Sequence, residues 1–137
     1  MQVREGTKRP QSPVASFRSM HNFYSVKKNS EFREAYKKGK SCANRLLVMY
    51  VHPVDRKETR IGISVSKKVG NSVVRHHITR LIREVFRLRR DSLKEGLNII
   101  VVARAAAKDS DYRQIESAFE HLCGLHKIIA RSRTGEE

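Results

Sequence analysis

Apolar residues recur along this chain at two spacings, one typical of β-strands and one typical of amphipathic helices. The runs rich in β-forming residues are Cys42–His52, Arg60–Ser66 and Leu97–Ala103. The first run is nearly continuous in apolar residues, which favours a strand buried on both faces or nearly so. The second alternates, and its small residues Gly62, Ser64 and Ser66 share one face. Small side chains there leave a trough that a backbone or a base could approach closely.

A short first helix is predicted between Asn29 and Gly39, because Asn29 or Ser30 can cap its amino terminus and Gly39 suits a left-handed stop. Its apolar face consists of Phe32, Ala35 and Tyr36. One interpretation of this spacing is that the two rings pack in the hydrophobic core. A ring at the edge of a sheet can instead stack on an unpaired base, so both interpretations stay open.

The segment Lys67–Arg90 carries eight Lys or Arg residues against one acid and predicts a basic amphipathic helix that Asn71 or Ser72 can cap. At about 100° per residue, its apolar side holds Val74, Ile78, Leu81, Ile82 and Val85, with Leu88 close by. The opposite side holds His76, Arg80, Arg83, Arg87 and Arg90. Such a helix is suited to lie on an anionic surface. Lys67 and Lys68 stand before its amino terminus, which favours a phosphate, although two solvated lysines beside an ordinary cap fit equally.

A last helix is predicted after Asp111, which with Gln114 forms a capping-box pattern. Its apolar stripe is Ile115, Ala118, Phe119, Leu122, Leu125 and Ile129. The resulting order of helix, strand, strand, helix, strand, helix indicates an α+β fold with helices packed on one mixed sheet. We expect one domain over residues 21–130, a disordered extension over residues 1–20, where apolar periodicity is absent, and a flexible tail over residues 131–137.

Composition narrows the class of partner. The 137 residues include 29 Lys or Arg against 14 acids, a formal net charge of +15, which favours a nucleic acid. An anionic membrane surface is the competing explanation, but no apolar run approaches the roughly 18 residues of a membrane span, and no signal peptide is evident. We therefore expect a cytoplasmic protein with neither a membrane nor a small molecule as partner.

The residue types needed for protein-based catalysis do not cluster in this sequence. Cys42 and Cys123 form no C-x-x-C pair, no two histidines have zinc-ligand spacing, and no phosphate-binding glycine loop or nucleophile elbow occurs. The scattered acids suggest no metal-dependent nuclease site. The residues themselves predict an RNA-binding module with no catalytic residue, no metal ligand and no cofactor motif.

Three blocks of sequence together resemble the protein subunit of bacterial ribonuclease P over roughly residues 24–130. They are K-K-N-S-E-F-R-E-A-Y-K-K-G with S-C-A-N-R-L-L-V-M-Y, then R-I-G-I-S-V-S-K-K-V-G-N-S-V-V-R, then R-L-I-R-E. The resemblance implies that an RNA subunit, which requires Mg²⁺, cleaves precursor tRNA at its 5′ leader. It also implies a four-stranded sheet in the order αβββαβα, with an extra strand near Lys40–Ala43 and a left-handed crossover.

The same resemblance implies two binding surfaces. The catalytic RNA would be bound by Lys67, Lys68, Asn71, Arg75, His76, His77, Arg80, Arg83 and Arg87. The leader would lie in a cleft between the first helix and the sheet, against Phe32, Tyr36, Val48, Tyr50, Ser64 and Ser66. The chain departs from the family's Arg-Asn-Arg signature, which here reads Arg75-His76-His77, so a full charge and a forked donor are lost.

Two other classes of function compete with this interpretation. Small basic α+β domains also buttress ribosomal RNA, and the RNA that co-purifies with the protein would distinguish that role. An autonomous nuclease is the other alternative, which the failure of pure protein to cut precursor tRNA would exclude.

Overall fold

The computed structural model describes residues 25–26 and 28–130. The predicted disordered extension, residues 1–20, and the predicted tail, residues 131–137, lie outside the described residues. The domain boundaries therefore stay predictions. Within the described part, no helix is long and apolar enough to cross a membrane.

Three helices and four strands follow one another in the order αβββαβα, as predicted. The helices are α1 (Asn29–Lys38), α2 (Ser72–Arg89) and α3 (Tyr112–His126). The strands are β1 (Lys40–Ala43), β2 (Leu47–Pro53), β3 (Arg60–Val65) and β4 (Leu97–Ala103). Two short 3-10 helices, Arg90–Ser92 and Ala105–Asp109, follow α2 and β4.

The four strands form one mixed sheet in the order β1-β2-β4-β3, which confirms the predicted fold class. The β1–β2 and β2–β4 pairs are antiparallel, whereas β3 and β4 are parallel and are connected through α2. The hand of this crossover stays a prediction. Because of these directions, the β1–β2 turn, the start of α2 and the segment leading into α3 all lie at one end of the sheet.

The prediction of one strand over Cys42–His52 was wrong, because the chain turns at Asn44. The Asn44 side-chain Oδ1 accepts hydrogen bonds from the backbone N–H groups of Leu46 and Leu47, at 3.2 and 3.0 Å. Its own N–H donates to the Leu47 carbonyl at 2.9 Å. An asparagine that bonds the backbone two or three residues ahead favours a turn over a continuing strand. The extra strand that the resemblance implied is therefore β1.

Two apolar layers cover the two faces of the sheet. On one face, α2 and α3 bury a large core that includes Met49, Ile99, Ile82 and Phe119. On the other face, α1 packs over Ile100 through its buried Ala35 and half-buried Phe32, and the buried Val26 ahead of α1 belongs to the same layer. Within the described residues, Tyr50 and Val102 on this face are only partly buried, so part of the face is accessible.

The ends of the helices agree with the sequence in two cases and differ in one. Asn71 caps α2, with its side chain accepting from the N–H of Val74 at 3.0 Å, and Asp111 with Gln114 forms the capping box of α3. The predicted caps of α1 were wrong, because its N-cap is Lys28, whose side chain makes no capping hydrogen bond.

Gly39 does not adopt the predicted left-handed conformation, since its φ is −75°. A Cβ at this position would lie 2.5 Å from the carbonyl oxygen of Ala35 and 2.9 Å from that of Val51. Glycine is therefore needed at this position because the end of α1 passes close to β2.

Three apolar residues assigned to the core are exposed instead: Leu88, Leu125 and Ile129. Leu88 points away from the centre of the buried stripe of α2, where Phe86 takes part in the core. After α3, Lys127 adopts a left-handed conformation with φ 58°, and this reversal directs Ile128 rather than Ile129 inward. Helical periodicity cannot predict which residues are buried beyond the end of the helix.

Candidate nucleic-acid interface

The residues predicted to bind a leader lie on the face of the sheet that carries α1. Tyr50 pairs with Ile100, and Val48 in the next row pairs with Val102. Ser64 of β3 pairs with Val102 from its other side. Val48, Tyr50 and Ser64 therefore face the same way, and their side chains are half-buried. We call the surface between these residues and α1 the cleft.

Two tyrosines form one wall of the cleft. The rings of Tyr36 and Tyr50 meet edge to face with centroids 4.9 Å apart, and Tyr36 is 41% exposed. The Tyr36 hydroxyl is hydrogen-bonded to the Ser64 side chain; burial is the main cause that raises the pKa of Tyr36. The phenol thus stays protonated at neutral pH, and its exposed ring face can receive a base.

Phe32 occupies the trough that the small residues of β3 were expected to leave open. A Cβ on Gly62 would lie 2.6 Å from Cζ of Phe32, so the ring rests directly on the glycine. The expectation of an open trough at Gly62 was therefore wrong. The accessible part of the cleft lies further along the strands, beside Ser64 and Val48.

Ser66 lies beyond the end of β3 and is exposed. Its Oγ accepts a hydrogen bond from the backbone N–H of Lys68 at 3.3 Å. Since Val65 pairs with Ala103, Ser66 and Arg104 leave the sheet side by side. Ser66 thus belongs to the rim of the cleft rather than to its floor.

The second predicted surface is the outer side of α2 with the turn before it, which we call the α2 surface. Lys67 and Lys68 are exposed in that turn, ahead of the Asn71 cap. Three more exposed residues of this surface are His76, His77 and Arg80. Their positive charges and ring N–H groups stand at or near the amino-terminal half of α2, where the helix dipole also favours an anion.

Arg75 and Arg83 form an unusual pair on one flank of α2. Both are half-buried, and the Nε of each is buried without a hydrogen-bond partner among the described residues. Burial lowers the pKa of Arg83 from its usual value. They are two helical turns apart, and Thr79 lies between them with its hydroxyl donating to the Arg75 carbonyl at 2.8 Å. An arginine remains charged in such surroundings, so this flank keeps two guanidinium groups that no carboxylate of the described chain neutralises.

Arg87 differs from Arg83 although both were assigned to the same surface. Its Nε and Nη2 donate to the two carboxylate oxygens of Glu84 at 3.1 and 2.7 Å, which raises the pKa of Arg87. The ion pair leaves less of this charge available for a phosphate. Glu84 is the one acid of the segment Lys67–Arg90, and its spacing of three residues from Arg87 on a helix is the sequence signal for such a pair.

The acidic side chains near α2 are largely engaged with arginines. Arg89 bridges α2 to α3 by binding both Glu116 and Glu120. Within the described residues, no group of three His, Cys, Asp or Glu side chains could hold a metal ion. The chemistry available on both surfaces is therefore hydrogen-bond donation, positive charge and ring stacking.

The chain is similar in sequence and structure to proteins of one known family. Residues 20–127 match a family model described as Ribonuclease P. The chain is 55% identical over 108 residues to the ribonuclease P protein component of Lachnoclostridium phytofermentans, covering 79% of this chain and 93% of that protein. The corresponding protein of Alkaliphilus metalliredigens is 46% identical over 105 residues, with coverages of 77% and 95%. A solved Staphylococcus aureus RNase P protein mutant with defective mRNA degradation activity gives a TM-score of 0.77 at 40% identity, covering 86% of this chain and 100% of that one.

Proposed function

The chain belongs to the ribonuclease P protein family, and on that premise we propose that its α2 surface binds the catalytic RNA and its cleft binds the precursor leader. As a member of this family, it is the protein component of a ribonucleoprotein endoribonuclease that acts in tRNA 5′-end maturation. The chemistry of cleavage belongs to the RNA subunit. Because the chain belongs to the ribonuclease P protein family, the alternative function of a structural ribosomal protein is disfavoured.

The observation that carries this proposal is the pair Arg75 and Arg83. A charged group removed from water without a partner is costly, and two guanidinium groups on one flank have no carboxylate partner among residues 28–130. A phosphate provides what they lack, because its oxygens accept the short, charge-assisted hydrogen bonds that guanidinium groups donate. The flank is thus complementary to a phosphodiester backbone.

The position of the two surfaces supports a role in which two RNAs are held at once. The α2 surface belongs to the helical layer on one face of the sheet, and the cleft lies on the opposite face under α1. The catalytic RNA can therefore occupy the first surface without covering the second. Only the precursor carries a leader, so binding in the cleft favours substrate over product.

The net charge of +15 indicates how the protein assists a reaction between two polyanions. Catalytic RNA and precursor tRNA repel each other, and divalent ions normally screen that repulsion. Bound between them, the protein replaces part of this screening and lowers the Mg²⁺ concentration that the RNA subunit needs. Both RNAs meet in the cytoplasm, where we place the reaction.

Reconstitution tests this proposal. Catalytic RNA alone should cleave precursor tRNA slowly at low Mg²⁺, and addition of the protein should restore cleavage at the 5′ end of the mature sequence. The pure protein without RNA should leave the precursor intact. If the protein failed to change the Mg²⁺ dependence, or if it bound precursor and mature tRNA equally in the complex, the proposal would be refuted.

A further inference from the structure

A groove of about 410 Å³ lies outside both surfaces described above, between the β1–β2 turn and the outer side of α3. The side chains of this groove that carry hydrogen-bond donors are Asn44, Arg45, Arg113, Gln114, Ser117 and His121. These residues come from two segments about 70 positions apart in the sequence. We call this site the α3 groove.

Asn44 joins the two walls of the groove. Its Oδ1 is occupied by the N–H groups of the turn, so its amide Nδ2 is the donor toward α3. Nδ2 lies 3.0 Å from the carbonyl oxygen of Ala118 and 3.2 Å from Nδ1 of His121. The Asn44 carbonyl in turn accepts from Arg104 at 2.9 Å. The turn is therefore fastened to α3 and to the end of β4, and the groove has a preformed shape.

The same contact sets the hydrogen position on His121. Because Asn44 donates to Nδ1, this ring nitrogen accepts, and the ring hydrogen of the neutral imidazole is on Nε2. Gln114 has a comparable arrangement, since its Oε1 accepts from the backbone N–H of Asp111 and its amide N–H groups remain available. The uncommitted polar groups of these two side chains are donors.

The charges of α3 are segregated between its two flanks. The flank toward α2 carries Glu116 and Glu120, and both are bound by Arg89. The flank that lines the groove carries Arg113, which is exposed, and Arg45 projects from the turn opposite it. Neither Arg45 nor Arg113 forms an ion pair with another described residue. No carboxylate of the described residues lines the groove, which therefore presents two positive charges and several donors.

We propose that the α3 groove binds a phosphodiester of the catalytic RNA, as a second docking point separate from the α2 surface. Phosphate oxygens accept hydrogen bonds and carry negative charge. They are therefore complementary to the donors of this groove and to its two guanidinium groups, which form no ion pair with another described residue. The groove lies on α3, in the same helical layer as α2, whereas the cleft for the leader lies on the other face of the sheet. This placement assigns the groove to the catalytic RNA rather than to the leader, and the inference rests on the proposed function.

The first test compares two double variants that each remove two positive charges. Arg45→Ala with Arg113→Ala should weaken binding to the catalytic RNA and reduce the slope of log affinity against log salt by about two, roughly one for each lost phosphate contact. The control, Lys57→Ala with Lys94→Ala, removes two exposed lysines at the opposite end of the sheet. It should leave the slope nearly unchanged. Thermal unfolding of both variants checks that neither perturbs the fold.

The second test locates the contact. Ser117→Cys in a Cys42→Ser background, carrying a photoreactive group, should crosslink to a defined position in the catalytic RNA within the holoenzyme. Lys94→Cys with the same group is the matched control and should not. Crosslinks to the leader alone, or none in a holoenzyme that assembles normally, would overturn the assignment.

The two proposals fail in different ways. If the wild-type protein does not bind the catalytic RNA or stimulate cleavage, the proposed function is wrong. If the wild-type protein does both and the arginine double variant behaves as the lysine control does, only the α3 groove is wrong.

Discussion

The ring of Phe32 rests on Gly62, so closely that a Cβ on the glycine would lie 2.6 Å from Cζ of the ring and 2.8 Å from Cδ1 of Ile100. Through this contact the Phe32 ring reaches from α1 to the edge strand β3 and sets the depth of the cleft. The Phe32 ring therefore packs into the space that a side chain at position 62 would occupy.

The first prediction concerns this contact. Gly62→Ala should destabilise the fold by about 1–3 kcal/mol, because the methyl group must displace Phe32 or Ile100 from a packed layer. Chemical denaturation measures the change. Gly124→Ala is the control: apart from its chain neighbours and the backbone of its own helix, no described atom lies within 4 Å of a Cβ at this position. It should stabilise the protein by about 0.5–1 kcal/mol, since alanine favours a helix over glycine. Equal effects of the two variants would contradict the packing argument.

The second prediction tests the cleft through Tyr36, which is more exposed than Phe32 and less important for packing. Tyr36→Ala should weaken holoenzyme binding of precursor tRNA by about 1–3 kcal/mol, the usual contribution of one stacked base. Binding of mature tRNA should not change. Tyr36→Phe keeps the ring and loses only the hydroxyl that bonds Ser64. If the phenylalanine variant lost as much as the alanine variant, stacking would not be the source of the affinity.

The third prediction separates Arg83 from Arg87 on the α2 surface. Arg83→Ala should reduce the salt-dependence slope of catalytic-RNA binding by about one. Arg87→Ala should change it less, because the guanidinium of Arg87 is already engaged by Glu84. Filter binding over a salt series measures both slopes. The opposite ranking would show that the ion pair opens on binding and that Arg87 is the principal contact.

The fourth prediction concerns the two thiols. Burial is the main cause that raises the pKa of Cys123 to about 12, whereas Cys42 is half-buried on the edge strand β1. The thiolate is the reactive form, so at pH 8 a disulfide reagent should modify Cys42 only, and Cys123 only after unfolding. Cys42→Ser should remove the native-state reaction. Two thiols reacting at one rate in the native protein would contradict this difference in reactivity.

The raised pKa of Cys123 also affects the stability of the fold. Its contribution to the free energy of unfolding is present below about pH 9 and is lost as the pH rises toward 12.

Much of the fold could be predicted because helix and strand signals are local. The periods of the apolar residues and the capping residues Asn71 and Asp111 depend on neighbours within a few positions, and they predicted α2, β3, β4 and the start of α3 correctly. Where the sequence prediction was wrong, apolar content and periodicity did not locate the ends of elements. The run Cys42–His52 breaks because Asn44 bonds the backbone of Leu46 and Leu47 in a turn, which the apolar content of the run does not indicate; the bond from Asn44 to α3 depends on the tertiary structure.

The sequence by itself determined the class of the protein: a basic α+β domain without clustered catalytic residues, whose motifs place it beside the ribonuclease P proteins. Charge and residue order are properties of the chain, so they need no coordinates. Only the tertiary structure decided which charges are available. Arg83 and Arg87 look equivalent on a helical wheel. In the part of the chain that the structure describes, however, Arg83 is half-buried with its Nε unpartnered, whereas Arg87 is paired with Glu84. The α3 groove likewise exists only because folding brings Arg45 beside Arg113. Burial and contacts between distant segments decide these differences, and no local pattern encodes them.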